Sequence, residues 1–145
     1  MRSSRIQRTL VALTALVACT TGRTPASAPL EGTHWRLIEL NGKPALAAGE
    51  QRADLQFARG DSARVSGSSG CNRFMGSFTH TGADLRFGQM ASTQMACIDE
   101  RVSEQERAFL TALGATERYT VAGDTLTLLG SSGTLARFVA APPTP

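Results

Sequence analysis

The sequence predicts an α+β fold: a single domain in which a curved antiparallel β-sheet or open barrel carries one main helix. Three observations lead to this prediction. About seven to eight short segments alternate apolar and polar residues, glycine-containing turns separate them, and only residues 99–113 keep a helical period without Gly or Pro. The folded region, residues 31–140, has a length that suits one domain with one core.

Each predicted strand rests on a period of two in its apolar residues. The predicted strands lie at residues 33–40, 53–58, 63–67, 73–78, 84–87, 116–121, 125–129 and 134–139. In the first of them Trp35 and Leu37 share a face, and the turn dipeptide Asn41-Gly42 follows it. Short spacing and glycine turns favour antiparallel neighbours along the chain.

The helix is predicted from apolar residues that recur near a spacing of 3.6. Val102, Phe109, Leu110 and Leu113 form its apolar face. Asp99 is expected to cap its start, and Gly114 has the position of a glycine just past a helix end. Glu104 and Glu106 are interpreted as a solvated surface.

The first residues have the pattern of an export signal. Arg2, Arg5 and Arg8 precede a short apolar run that ends in small residues, which predicts a signal peptide over residues 1–18. The run is shorter than the roughly 20 residues that span a bilayer. Removal of these residues leaves twelve basic against twelve acidic residues, so the mature chain is near neutral.

The end of the apolar run, Leu16-Val17-Ala18-Cys19, resembles the bacterial lipobox. This resemblance implies lipidation of Cys19 as the new N-terminus, followed by a flexible tether over residues 19–30. The alternative is an ordinary secretory signal cut near Ala18 or in the segment 26–28. The expected location is the bacterial cell envelope, and the outer membrane facing the periplasm is favoured over the inner membrane. Residues 141–145 are predicted to be a disordered tail.

The near-neutral mature chain argues against nucleic acid as a partner, because phosphate binding needs clustered positive charge. Cys71 and Cys97 are predicted to form a disulfide if the chain is exported; buried free thiols and a redox role are the alternatives. His34 and His80 lack the spacing of a zinc site or a catalytic pair. No metal, cofactor or enzymatic activity is therefore predicted, and the domain is expected to be a monomer.

Two short motifs surround the cysteines: Gly70-Cys71-Asn72-Arg73-Phe74 with Gly76, and Thr93-Gln94-Met95-Ala96-Cys97. With the Leu-x-Phe repeats and the final strands, they make the chain resemble the META domain family, whose members include HslJ-like heat-inducible bacterial lipoproteins. The resemblance covers residues 31–140. It implies one α+β domain without established catalytic residues, in a family associated with heat induction and antibiotic tolerance.

The motif residues Gly70, Asn72, Gly76, Thr93 and Met95 are interpreted as structural, with Met95 in the core and the glycines at tight turns or a bulge. The leading functional hypothesis is a non-enzymatic envelope lipoprotein, stress-related, that binds or scaffolds an envelope protein. One alternative is a small-molecule or lipid binder in an open barrel, and a third is an inhibitor of secreted hydrolases. The barrel alternative predicts an apolar cavity lined by Phe57, Phe74, Phe87 and Leu128.

Overall fold

The computed structural model describes residues 26–46 and 52–142, which contain nine β-strands and one α-helix. The elements are β1 His34–Leu40, β2 Lys43–Pro44, β3 Asp54–Phe57, β4 Arg64–Ser68, β5 Arg73–Thr81, β6 Asp84–Ser92, α1 Glu100–Gly114, β7 Arg118–Ala122, β8 Thr125–Gly130 and β9 Gly133–Ala141. The predicted signal peptide and Cys19 lie outside the described residues. No helix in the described part of the chain is long and apolar enough to cross a membrane.

Eight strands form a closed antiparallel barrel, which confirms the α+β prediction. Beginning with β1 and β3, each strand pairs with the next along the chain up to β9, and β1 then pairs with β9 to close the sheet. The short strand β2 pairs only with β1, as a hairpin around Asn41-Gly42. β5 and β6 are longer than predicted, because their hairpin pairing continues past Gly76 through a register shift.

The pairing of β6 with β7 is the shortest in the barrel. It consists of the single pair Asp84 with Arg118, extended by two backbone hydrogen bonds at Leu85 and Tyr119. Helix α1 connects these two strands in sequence and contacts β6 more than any other strand. The helix therefore packs against β6, one strand of the pair that has the fewest ladder hydrogen bonds.

The inward faces of the strands and one face of α1 share a single core. Phe109 of the helix lies edge-to-face with Phe74 of β5, at 5.7 Å between ring centroids, and also contacts Phe138 of β9. Trp35 is fully buried, and its indole Nε1–H donates to the Leu30 carbonyl at 3.0 Å. The indole thus satisfies its donor and holds the segment before β1 against the barrel.

Three boundaries differ from the predictions. Leu30 is buried and the Ala28 amide donates to the Gly123 carbonyl, so the last part of the predicted tether packs on the domain. β9 continues to Ala141, one residue into the predicted tail, because Ala141 pairs with His34. Gly114 is the last helical residue, and the cap is Ala115 in an ordinary right-handed conformation. Ala28 and Ala141 have backbone partners that are distant in sequence, which a local pattern does not reveal, whereas the end of the helix is set by local bonds from the Ala115 amide.

Replacing Gly67 by alanine is expected to destabilise the fold by about 3 kcal/mol, because an added methyl in a packed site forces backbone shifts. A Cβ at Gly67 would meet the carbonyl group of Asp54 and lie 2.9 Å from Leu55 Cα, and both neighbours are backbone of β3. Gly114 has nothing within 4 Å of its equivalent position, so Gly114→Ala is the matched control and should be neutral or slightly stabilising. Urea unfolding of both variants measures the difference. Equal midpoints would show that β3 and β4 lie farther apart than described.

Candidate functional site

The two motifs meet at one end of the barrel, where the β4–β5 loop approaches the segment between β6 and α1. Ser69 and Asn72 of this loop are buried although they are polar. Gly70 takes a φ of +112°, a conformation that favours glycine and lets the loop turn sharply. The predicted turn role of Gly70 agrees with this geometry.

The side-chain amide of Asn72 uses all four of its hydrogen-bonding positions. Its Oδ1 accepts from Thr93 Oγ1 at 2.8 Å and from the Met95 amide at 2.7 Å. Its Nδ2 donates to Glu106 Oε1 at 2.9 Å and to the Met95 carbonyl at 3.3 Å. Two lone pairs and two N–H groups are the full capacity of this side chain, so the cluster satisfies it completely.

Glu106 of α1 is the third member of this cluster. Its Oε2 accepts from Ser69 Oγ at 2.6 Å and from the backbone N–H of Asn72 at 3.0 Å. Its Oε1 accepts the bond from Asn72 Nδ2. The interpretation of Glu106 as part of a solvated surface was therefore wrong. Glu104 is exposed, as predicted. The two differ because only Glu106 faces the β4–β5 loop, whose N–H groups need an acceptor.

Cys71 and Cys97 are joined by a disulfide, with Cα atoms 5.9 Å apart. The bond and the Asn72 hydrogen bonds link the same two segments, the β4–β5 loop and the residues before α1. The ligand atoms of Cys71, Cys97 and Glu106 all lie within 4.8 Å of one another, but bonded sulfurs are not thiolate ligands. In this state the three groups do not make a metal site.

Met95 points outward, which contradicts the prediction that it fills the core. Its side chain is 58% exposed, while its backbone N–H and C=O are both hydrogen-bonded to the side-chain amide of Asn72. Thr93, two residues earlier, is fixed by its hydrogen bonds to Asn72 and to the Arg73 amide. The cluster therefore holds the Met95 backbone in place with the thioether in solvent, and sequence patterns alone do not distinguish this from a buried methionine.

Beside Met95 lies a depression of about 290 Å³. It is lined by Ser68, Cys71, Arg73, Thr93 and Met95, and these five residues are called the Met95 site below. The side chains of these residues carry a disulfide sulfur, a thioether, two hydroxyl groups and a guanidinium group. Groups of these kinds can contact an apolar group through the thioether and a negative charge through the guanidinium.

Gly76 lies on β5, away from the Met95 site. A Cβ at this position would contact Met90 Sδ and would lie 2.8 Å from the Gln89 carbonyl oxygen of β6. The register shift between β5 and β6 occurs directly after it. Gly76 thus permits a close approach at a bulge, in agreement with one of its two predicted structural roles.

The four side chains named for an apolar cavity lie in the packed core or against it. Phe57, Phe74 and Leu128 are almost fully buried, and Phe87 is partly buried beside them. The Phe57 ring lies 4.9 Å from that of Phe78 and 5.8 Å from that of Phe87, between centroids. The three phenylalanine rings therefore contact neighbouring rings of the core.

The histidines lie away from the cysteines. His34 Nε2 is 3.2 Å from Asp54 Oδ2, and His80 Nε2 is 3.1 Å from Glu31 Oε1. Each histidine thus has one carboxylate neighbour and no cysteine near it in the described structure. Two separate pairs of this kind support packing or surface roles.

Asp99 caps α1, as predicted. We expect its carboxylate to make the free energy of unfolding depend on pH. Its carboxylate accepts from the Arg101 side chain and from the Arg101 amide, and these bonds hold the pKa of Asp99 below its ordinary value. A lowered pKa in the folded state stabilises the fold above the unfolded value of about 3.9. That contribution is lost as pH falls through the lower, folded pKa.

Asp99→Asn is the matched variant, because asparagine also caps helices but carries no charge. The difference in unfolding free energy between wild type and Asp99→Asn should favour the wild type at pH 7 and shrink as the pH falls below the unfolded value and through the folded pKa of Asp99. Chemical denaturation at a series of pH values measures it. A difference that is constant with pH would show that the Arg101 pair adds nothing.

The barrel, the helix and the disulfide-linked motifs together define a small α+β barrel domain with a cross-linked polar cluster at one end. The chain belongs to the META domain family, whose model matches residues 28–142. This confirms the resemblance at the level of the family. A search of curated proteins gave no significant match.

Solved structures show the same fold at low sequence identity. A protein from Burkholderia xenovorans, solved by NMR, is 24% identical with a TM-score of 0.62, over 83% of this chain and 96% of that one. A second NMR structure has the same identity and TM-score, over 76% of this chain and 91% of that one. A crystal structure of a DUF4847 family protein from Bacteroides vulgatus is 14% identical with a TM-score of 0.53, over 79% and 96%. These likenesses concern the fold alone.

Proposed function

We propose that this META domain protein is a lipid-anchored, non-enzymatic module of the bacterial cell envelope that binds or scaffolds another envelope protein. The observation that carries the binding part is the contrast between the buried, mutually contacting side chains of the core and Met95, whose backbone is fixed while its side chain faces outward. An apolar ligand beside Phe57 or Phe74 inside the barrel would compete with the contacts that these rings make with Phe78 and Phe109. Ile98, three residues after Met95, is also fully exposed, and neighbouring exposed apolar side chains are typical of surfaces that meet a partner.

The envelope part of the proposal depends on the N-terminal sequence and on the cysteines. The lipobox-like run ends in Cys19, and the two remaining cysteines form a disulfide, a bond that persists in oxidising compartments. Outer-membrane anchoring and a role in heat or antibiotic tolerance are the finer parts of this proposal. They rest on the resemblance to HslJ-like lipoproteins and on Thr20, which is not the aspartate associated with inner-membrane retention.

Globomycin, which blocks the lipoprotein signal peptidase, is expected to leave an uncleaved precursor of the full chain in a bacterial host. Cys19→Ser should abolish both the processing and the incorporation of labelled palmitate. Cys71→Ser is the control, because it removes a cysteine without changing the lipobox. Normal processing under globomycin, or palmitate label that survives Cys19→Ser, would refute the anchor.

A further inference from the structure

The Met95 site lies at the end of the barrel opposite to the point where the chain enters the domain. The Ala28 amide donates to Gly123 in the β7–β8 turn, and the Gly123 amide donates to Ser27 Oγ. That turn lies at the same end as the β5–β6 turn, because β7 begins opposite Asp84. The Met95 site is at the other end of β5, which spans nine residues or about 27 Å.

The charge of the Met95 site comes from Arg73. Its side chain is exposed, and it is within 4.0 Å of no carboxylate in residues 26–46 and 52–142. A guanidinium group that is not already paired can bind a carboxylate through two parallel N–H bonds. Met95 provides an apolar, adaptable surface next to it, since an unbranched thioether fits many shapes.

We propose that the Met95 site docks an extended polypeptide segment in which a carboxylate side chain is adjacent to an apolar side chain. The inference rests on the proposed function and specifies the chemistry of its partner. The carboxylate pairs with Arg73, and the apolar side chain lies on Met95 and the Cys71–Cys97 disulfide. Asn72 acts as a positioning residue, because it holds both backbone groups of Met95.

The position of the site favours a polypeptide over a lipid surface. A chain anchored at Cys19 enters the domain near Gly123, so the Met95 site faces away from the anchored end. An anionic bilayer is bound by clusters of several Lys and Arg residues. The Met95 site has one arginine, which is too few for a surface of that kind. A protein segment on the periplasmic side can reach this end without competing with the anchor.

NMR titration of the full chain, labelled with ¹⁵N, tests the proposal with four capped hexapeptides. Their central pairs are Leu-Asp, Asp-Leu, Leu-Asn and Ser-Asp, in a Gly-Ser background. The Leu-Asp or the Asp-Leu peptide should shift the amide signals of residues 68–73 and 93–97. Its dissociation constant should be at least fivefold lower than those of the Leu-Asn and Ser-Asp peptides. Arg73→Gln should remove the preference for Asp over Asn, and Met95→Gln should weaken binding about fivefold.

Ile38→Gln is the matched control, because Ile38 is an exposed apolar residue of β1 that does not line the site. It should leave binding unchanged. The absence of shifts at residues 68–73 and 93–97, or equal binding of all four peptides, would overturn the proposal. Shifts of the same signals with phosphatidylglycerol vesicles alone would overturn it in favour of a bilayer. Shifts on raising the protein concentration without peptide would overturn it in favour of a second copy of the chain. Globomycin processing tests the anchor separately, so the proposed function can survive failure here.

Discussion

Replacing Glu106 by alanine is expected to lower the free energy of unfolding by about 3 kcal/mol, because hydrogen bonds to a charged group contribute about 1.5–3 kcal/mol and buried donors are left unpaired. The carboxylate accepts from Ser69 Oγ, from the Asn72 amide and from Asn72 Nδ2. Ser69 and Asn72 are buried, so water does not readily replace the lost acceptor. The measurement is urea unfolding monitored by Trp35 fluorescence.

Glu104→Ala is the matched control on the same helix. Glu104 is exposed and makes no side-chain hydrogen bond or ion pair in the described structure, so its loss should cost less than about 0.5 kcal/mol. Glu106→Gln tests the acceptor directly, since glutamine presents an N–H₂ group where a second acceptor oxygen is needed. It should be nearly as damaging as alanine. If Glu106→Ala and Glu104→Ala had the same stability, the polar cluster would not stabilise the fold.

Removing the disulfide with the double substitution Cys71→Ala and Cys97→Ala should cost about 3 to 4 kcal/mol, the loop-closure entropy for a separation of 26 residues. Reduction of the wild type should produce the same loss, because both changes release the same loop in the unfolded chain. Unfolding with and without a phosphine reductant measures this. The double variant itself should not respond to the reductant.

The disulfide and the Asn72 hydrogen bonds constrain the same two segments, so their effects should not be additive. A double-mutant cycle between Asn72→Ala and the paired cysteine substitutions is expected to show coupling of about 1 kcal/mol or more, as for residues in one network. Additive losses would mean that the Asn72 bonds form equally well without the covalent bond. In that case the disulfide would act on the unfolded state alone.

The sequence predicted the strands and the helix well because their signals are local. The Leu-x-Phe repeats identify β3 and β6, and Asp99 identifies the start of α1 within one residue. The sequence does not distinguish a curved sheet from a barrel, because closure depends on the pairing of β1 with β9, more than 90 residues later. Alternation within a strand gives its two faces but not its neighbours.

The cluster was predicted only in part, for a related reason. Its motif residues were recognised as structural, and the disulfide was the favoured state of Cys71 and Cys97. The acceptor Glu106 was missed, since a glutamate on a helix usually faces water and nothing in its neighbours indicates otherwise. Met95 was misplaced because its direction is set by Asn72, which is 23 residues away.

Closure of the barrel by its last strand also affects the order in which the molecule can mature. β1 pairs on one side with β3 and on the other with β9, so its second edge has no strand partner until residues 133–141 are available. A chain that emerges N-terminus first from a ribosome or a membrane pore can form its hairpins as they appear, but it cannot complete the barrel before the end of β9 is released. During that interval the outer edge of β1 presents unpaired backbone groups, and an edge of this kind favours pairing with another chain.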